Sequence, residues 1–222
     1  MNILVSGADG NLGSAVVDRL KSDGHGIYGL FGKKEKAQNP EEKFIKESID
    51  LTDPKASLKA VEEANKAFGK INGAVLTVGG YAGGGIKDVT IADIHDQIKL
   101  NFDTAFNLVK PLLEIMPKGS QIFLIGAKPV LKANELKNVV SYGLAKQLIF
   151  SLADIINVDF SEHQISAHVI VPSIIDTPPN REAMAEMNFD DWVKPEQIAE
   201  TISHYLQHPE LREGLIKIYG NL

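Results

Sequence analysis

The chain has 222 residues, enough for one α/β domain with a sizeable core and too few for a comfortable second. Its net charge of −6 argues against nucleic acid or an anionic membrane surface as partner, and the lack of cysteine excludes disulfides, thiolate catalysis and cysteine-bound metal. No apolar run reaches membrane-spanning length and a core strand pattern starts at the second residue, so no signal peptide and a cytoplasmic location are expected.

Ile3-Leu4-Val5 reads as the first strand, and Ala15, Val16, Val17 and Leu20 sit at helical spacing after it. Between them lies Ser6-Gly7-Ala8-Asp9-Gly10-Asn11-Leu12-Gly13. In a strand–turn–helix context, Gly7 suits a sharp turn, Gly10 a close approach of backbone to phosphate, and Gly13 tight packing of helix on strand. The helix start then points free N–H groups at a dinucleotide pyrophosphate. Gly7, Asp9, Gly10, Asn11, Leu12 and Gly13 are therefore the candidate cradle, although an ordinary glycine turn has the same spacing. Ile27 to Phe31 is predicted to be the second strand, followed by the polar loop Lys33-Lys34-Glu35-Lys36. An acid at this strand end would take the ribose hydroxyls of NAD. Phe31-Gly32-Lys33-Lys34 has none, so NADP(H) is expected, with NAD(H) as the alternative; Lys33 and Lys34 also suit a solvated loop.

Phe44-Ile45 opens a third strand that ends near Asp50-Leu51. Asp50 stands where a carboxylate can accept an adenine amino group or start a helix. Asp53-Pro54 caps a helix expected to run to Phe68, where Gly69 stops it. Gly73 to Val78 is a continuous apolar run, as a central parallel strand should be. It leads into the glycine-rich loop Gly79-Gly80-Tyr81-Ala82-Gly83-Gly84-Gly85. One long helix is predicted from Ile91 to Met116. Asn101 lies in register with its apolar stripe, where a polar group must be bonded, either to mend the helix or to serve a site. Ile122 to Ile125 is the next strand, ending at Gly126-Ala127-Lys128. Tyr142 and Lys146 share one face of the helix Tyr142 to Val158, where an ammonium would lower the phenol's pKa, although a core tyrosine and a solvated lysine have the same spacing. His168 to Val171 is a strand stopped by Pro172, and the loop Pro172-Ser173-Ile174-Ile175-Asp176-Thr177 lies at the edge where open sheets bind ligands. Met184 to Trp192 is predicted to be a short, mobile helical segment. Lys194-Pro195 opens the last helix, and Leu215 to Ile218 closes the sheet at its edge. Strand and helix alternate throughout, so a doubly wound, mostly parallel seven-stranded Rossmann-type sheet flanked by helices is expected as a single domain over residues 1–222. The histidines build no metal site: His163 and His168 lack a third ligand, and His204 and His208 suit a cationic helix cap.

Taken in order, these pieces resemble the short-chain dehydrogenase/reductase family: the turn at Gly7, Asp50-Leu51, Gly79-Gly80, Asn101, Tyr142-Gly143-Leu144-Ala145-Lys146 and Pro172 to Thr177. Gly10 comes one residue earlier than in the commonest glycine pattern of the family. The resemblance implies an NAD(P)H-dependent reductase of a small molecule. Tyr142 would be the proton donor, Lys146 would bond the nicotinamide ribose, and Asn101 would support Lys146. Asp50 and Leu51 would frame the adenine; Val78, Gly79 and Gly80 would lie along the cofactor; Pro172, Ile174 and Thr177 would hold its nicotinamide end. The family's usual catalytic serine is missing, since its place reads Gly126-Ala127-Lys128. Local matches at Val78 to Gly84, at Gly126 to Lys128 and at Asp176 to Arg181, with Phe189 and Trp192, resemble a branch that also lacks the serine and reduces quinonoid dihydropterins. Tyr81, Ala127, Tyr142 and Trp192 are then the candidate substrate residues, although loop packing also accounts for Tyr81 and Trp192. A carbonyl reductase without the serine, or a non-catalytic NAD(P) sensor, are the alternatives. The helix from Tyr142 is apolar nearly all round and needs cover beyond its own sheet, so a homo-oligomer, dimer or tetramer, is expected.

Overall fold

The computed structural model describes residues 1–32 and 44–221. Seven strands form one sheet: β1 (Asn2–Ser6), β2 (Gly26–Phe31), β3 (Phe44–Ser48), β4 (Gly73–Leu76), β5 (Gln121–Ile125), β6 (Ser166–Pro172) and β7 (Leu215–Ile218). Their spatial order is β3-β2-β1-β4-β5-β6-β7 and every pairing is parallel. The chain runs outward from β1 to β3, then returns to β4 on the other side of β1. The cleft between β1 and β4 is thus the switch point at which open α/β sheets bind ligands, beyond the carboxyl ends of the strands.

Helices cover both faces. On one, α1 (Asn11–Ser22) and α8 (Pro195–Gln207) bury Val16, Leu20, Ile198 and Ile202 against Ile3, Val5, Val75 and Phe123. On the other, α2 (Pro54–Phe68), α4 (Thr104–Ile115) and α6 (Val140–Asp159) close over Leu4, Leu76, Ile122 and Leu124. Since β1, β4 and β5 are covered on both sides, they read as unbroken apolar runs. Local chemistry sets the ends. The Asp53 side chain accepts from Lys55 N–H at the start of α2, Pro54 takes the first helical position, and Gly69 ends the helix at φ 71°.

Two expectations are corrected. The helix predicted as continuous from Ile91 to Met116 is α3 (Ile91–Ile98), a π-helical turn (Lys99–Asp103) and α4. The turn widens the helix where Asn101 Nδ2 bonds the Gln97 carbonyl, 3.2 Å away. The helical segment placed at Met184 to Trp192 begins earlier, as α7 (Pro178–Ala183), followed by a single 3-10 turn at Phe189–Asp191. Thr177 caps α7 by accepting from Asn180 N–H, and Pro178 supplies the first turn. Between β5 and α6 lie a 3-10 turn (Lys128–Leu131) and the short helix α5 (Ala133–Leu136). Among the described residues, no helix is long and apolar enough to cross a membrane.

Candidate active site

Gly7 turns at φ 63°, outside the range a side chain favours, and its carbonyl accepts from Gly10 N–H at 2.9 Å. A Cβ on Gly13 would collide with that same Gly7 carbonyl, so α1 packs against the turn only because Gly13 has none. No side chain caps the start of α1, and its first turn carries no acid. The positive end of the helix therefore faces the switch point, ready for a phosphate. Thr77 locks the turn from β4: its Oγ1 donates to the Ser6 carbonyl at 2.7 Å. Glycine spacing alone did not reveal this brace, and a polar residue ending an otherwise apolar strand was the available signal. The cradle fits a dinucleotide pyrophosphate.

Along the adenine side, Phe31 is buried and its carbonyl accepts from Ile49 N–H at 2.9 Å. Lys33 and Lys34 lie outside the described residues. Asp50 is exposed, and its Oδ1 accepts from Thr52 N–H at 2.9 Å and Thr52 Oγ1 at 2.7 Å. Those two bonds hold its carboxyl below the ordinary range. Asp50 thus shapes the turn into α2, while Leu51 is buried and its carbonyl is held by Asn107 Nδ2 at 2.9 Å.

Beyond β4, the glycine-rich loop meets polar side chains from the π turn and from α6. Asn101, 1% exposed, accepts from Gly80 N–H at 3.1 Å and donates to the Gly80 carbonyl at 3.0 Å. Its Nδ2 also reaches the Gln97 carbonyl and, at 3.0 Å, Gln97 Oε1. Asn101 thus bonds both the π turn, at Gln97, and the loop, at Gly80. A Cβ on Gly79 would stand 2.5 Å from Asn101 Oδ1 and 3.2 Å from Lys146 Nζ. Only a glycine lets the loop pass where these two groups converge.

Lys146 is buried on α6, and its Nζ donates to the Ile125 carbonyl at 2.8 Å. Burial lowers its pKa to about 8. Its Nζ lies 5.7 Å from the centre of the Tyr142 ring. The expectation that Lys146 depresses the Tyr142 pKa is corrected. Burial, and then the neighbouring Tyr81, push the phenol upward. The physical reason is burial, which penalises the charged phenolate, while the Lys146 ammonium is bonded to the end of β5. Tyr81, 70% exposed, packs edge-on against Tyr142 with ring centres 5.3 Å apart. Ala127, at the end of β5, is 5% exposed and offers no hydroxyl.

After β6 the chain folds back on itself. Val193 N–H donates to the Ile174 carbonyl at 2.9 Å, and Asp176 N–H to the Val193 carbonyl at 2.8 Å. Asp176 also takes a two-pronged ion pair from Arg181, which lies over the Phe189 ring at 4.9 Å. Phe189 packs on Trp192 at 4.8 Å, and Trp192 is 3% exposed. The Trp192 indole thus packs on Phe189 of its own loop in this structure. Thr177 is occupied in capping α7, and Pro172 ends β6 beside it.

A parallel sheet with a glycine cradle at its switch point, and a Tyr–Lys pair on the neighbouring helix, defines a dinucleotide-binding oxidoreductase fold. The chain matches the short chain dehydrogenase family over residues 1–188 and belongs to it; it is an oxidoreductase of a family that binds NAD(P). It is 27% identical over 216 residues to a dihydropteridine reductase of Dictyostelium discoideum, covering 95% of this chain and 90% of that one. In fold it is similar to a short-chain dehydrogenase/reductase from Serratia marcescens, at TM-score 0.84 and 20% identity, covering 99% of this chain and 96% of the other. A metagenomic blue fluorescent protein, solved in complex with NADPH, matches over the same shares with the same TM-score and identity.

Proposed function

We propose that this chain is an NAD(P)H-dependent reductase of a quinonoid dihydropterin, or of a similar conjugated imine or carbonyl, with Tyr142 as proton donor. The observation that carries this reading is the end of β5, where buried Ala127 offers no hydroxyl at the place where the family resemblance puts a second hydrogen-bond donor. In a simple ketone, negative charge builds on one oxygen, and losing a donor to it costs about 3–4 kcal/mol. In a conjugated quinonoid ring the charge spreads over several atoms, so one donor suffices. Likeness to a dihydropteridine reductase over nearly the whole chain supports the same choice.

The cradle Gly7, Asp9, Gly10, Asn11, Leu12 and Gly13 would hold the pyrophosphate. Phe31, Lys33, Asp50 and Leu51 would border the adenosine; Val78, Gly79, Gly80, Pro172, Ile174 and Thr177 would border the nicotinamide half. A reduced nicotinamide supplies a hydride when bound. Tyr142 supplies the proton, and a phenol is protonated at neutral pH, the form a donor needs. Lys146, its Nζ 5.7 Å from that ring, would bond the nicotinamide ribose. Tyr81 gives a flat ring against which a planar substrate can lie. The preferred cofactor is NADP(H), with NAD(H) as the alternative, because no acid follows Phe31-Gly32 before Lys33-Lys34. Exposed Leu144, Ile155 and Val158 on α6 and Phe106 on α4 support burial against a second copy, hence a homo-oligomer.

The test is kcat/KM on quinonoid dihydropterin and on a panel of ketones, with NADPH and NADH, for the wild type and Ala127→Ser. The wild type is expected to prefer the pterin, and Ala127→Ser to gain on ketones. A wild type that prefers ketones would support a serine-less carbonyl reductase instead. Cofactor binding without turnover of any substrate would support a sensor.

A further inference from the structure

The glycine-rich loop is fixed at two points, and Tyr81 stands between them. At one point Asn101 grips both main-chain groups of Gly80. At the other, Gly84 N–H donates to the Asn138 carbonyl at 2.8 Å and the Gly84 carbonyl accepts from Val140 N–H at 2.9 Å. Gly84 and Val139 thereby form a parallel bridge outside the main sheet. Val140 is the first residue of α6, two before Tyr142. The second attachment therefore ties the loop bearing Tyr81 to the helix bearing Tyr142.

Two features make that attachment specific to this backbone. Gly84 sits at φ 136°, where a side chain is strained, and a Cβ there would stand 2.9 Å from Val89 Cγ2. On the partner side, α5 is seated on α6 so closely that a Cβ on Gly143 would collide with Leu136. The segment from Ala133 to Val139 thus carries the Asn138 carbonyl to Gly84 and holds it there. Tyr81 itself is 70% exposed, so the ring contact with Tyr142 does not come from burial of Tyr81 in a core.

We propose that Gly84 and the segment Ala133 to Val139 form a positioning clamp, which holds Tyr81 against Tyr142 and so makes the site selective for flat, conjugated substrates. This rests on the reading of Tyr142 as proton donor to such a ring. Gly84 and Leu136 are positioning residues, and Tyr81 is the specificity-determining residue through which they act. A loop without the second attachment would let Tyr81 leave the Tyr142 ring and open the site to bulkier groups.

The experiment has one arm that needs no substrate. The chain has 5 tyrosines, so ring-labelled tyrosine gives few NMR signals, assignable with single Tyr→Phe variants. Tyr81→Ala should shift the Tyr142 ring signals, and Gly84→Ala should shift them in the same direction. Leu136→Ala loosens the clamp from the other side and serves if Gly84→Ala does not fold. Folded variants whose Tyr142 signals coincide with the wild type overturn the clamp. In the kinetic arm, Gly84→Ala should raise KM for quinonoid dihydropterin about 2- to 10-fold, the scale of one aromatic contact. It should add nothing in a Tyr81→Ala background. An equal loss in both backgrounds means that Gly84 does not act through Tyr81, and overturns the proposal. Should the wild type not turn over the pterin, the functional reading fails, and the NMR arm still decides the clamp.

Discussion

Replacing Asn101 by alanine should weaken fold and site together, by an amount the geometry sets. The side chain is 1% exposed and makes four hydrogen bonds, two to Gly80 and two to Gln97. Alanine leaves the Gly80 N–H and carbonyl without these partners. An unsatisfied buried group costs about 1–3 kcal/mol. Gly80 is half-buried, so water recovers part of this, and Gln97 can turn toward solvent. A net loss of about 2–3 kcal/mol is expected, which for a chain of this size lowers Tm by roughly 4–12 °C. Thermal melts followed by far-UV circular dichroism measure it. Because the same bonds place Gly79 against Lys146, kcat should fall even well below the lowered Tm. A variant that melts within about a degree of the wild type would show that Asn101 does not hold the loop, and the reasoning from its four bonds would be wrong.

Gly13→Ala should cost at least about tenfold in cofactor affinity, because its Cβ meets the Gly7 carbonyl and α1 must move off the cradle; titration of nucleotide fluorescence measures this, and unchanged affinity would remove the cradle from the site. Lys146, with a folded pKa of about 8 against an ordinary value near 10.4, binds its proton less tightly when folded. Its contribution to stability should therefore rise as pH climbs from about 8 to 10, and denaturant titrations should show this rise in the wild type but not in Lys146→Met. Lys33→Ala with Lys34→Ala should reduce the preference for NADPH over NADH in kcat/KM, and equal or better kinetics of the wild type with NADH would refute the assignment.

Much of the fold was legible because each signal was local. The capped helix Pro54–Phe68, the unbroken apolar run of β4 and the Gly7–Gly13 turn each declare themselves within a few residues. Asn101 was legible as a polar residue on an apolar stripe. What escaped depended on contacts across the chain. The π turn goes with the bonds Asn101 makes to Gln97 and, 21 residues away, to Gly80, and no periodicity carries that. Burial of Trp192 accompanies the doubling back of the chain at Ile174 and Val193, whereas the sequence around it read only as a short, mobile helical segment. The direction of the Tyr142 pKa was misread because spacing places Tyr142 and Lys146 on one face but does not show how far burial of the phenol raises it, nor what the ammonium bonds. It points to the Ile125 carbonyl, at the end of a strand. Gly84 looked like one glycine among several until its φ and its bonds to Asn138 and Val140 set it apart.

The central claim is that Tyr142 delivers the proton in a hydride reduction. Tyr142→Phe keeps the ring and its packing on Tyr81 and removes only the hydroxyl. The direct measurement is kcat of this variant with NADPH and quinonoid dihydropterin, alongside its cofactor affinity. Placed proton transfer contributes about 100- to 10,000-fold, so kcat should fall by that factor while cofactor affinity stays within a few-fold. A variant that retains most of the wild-type rate would contradict the assignment of Tyr142 as proton donor.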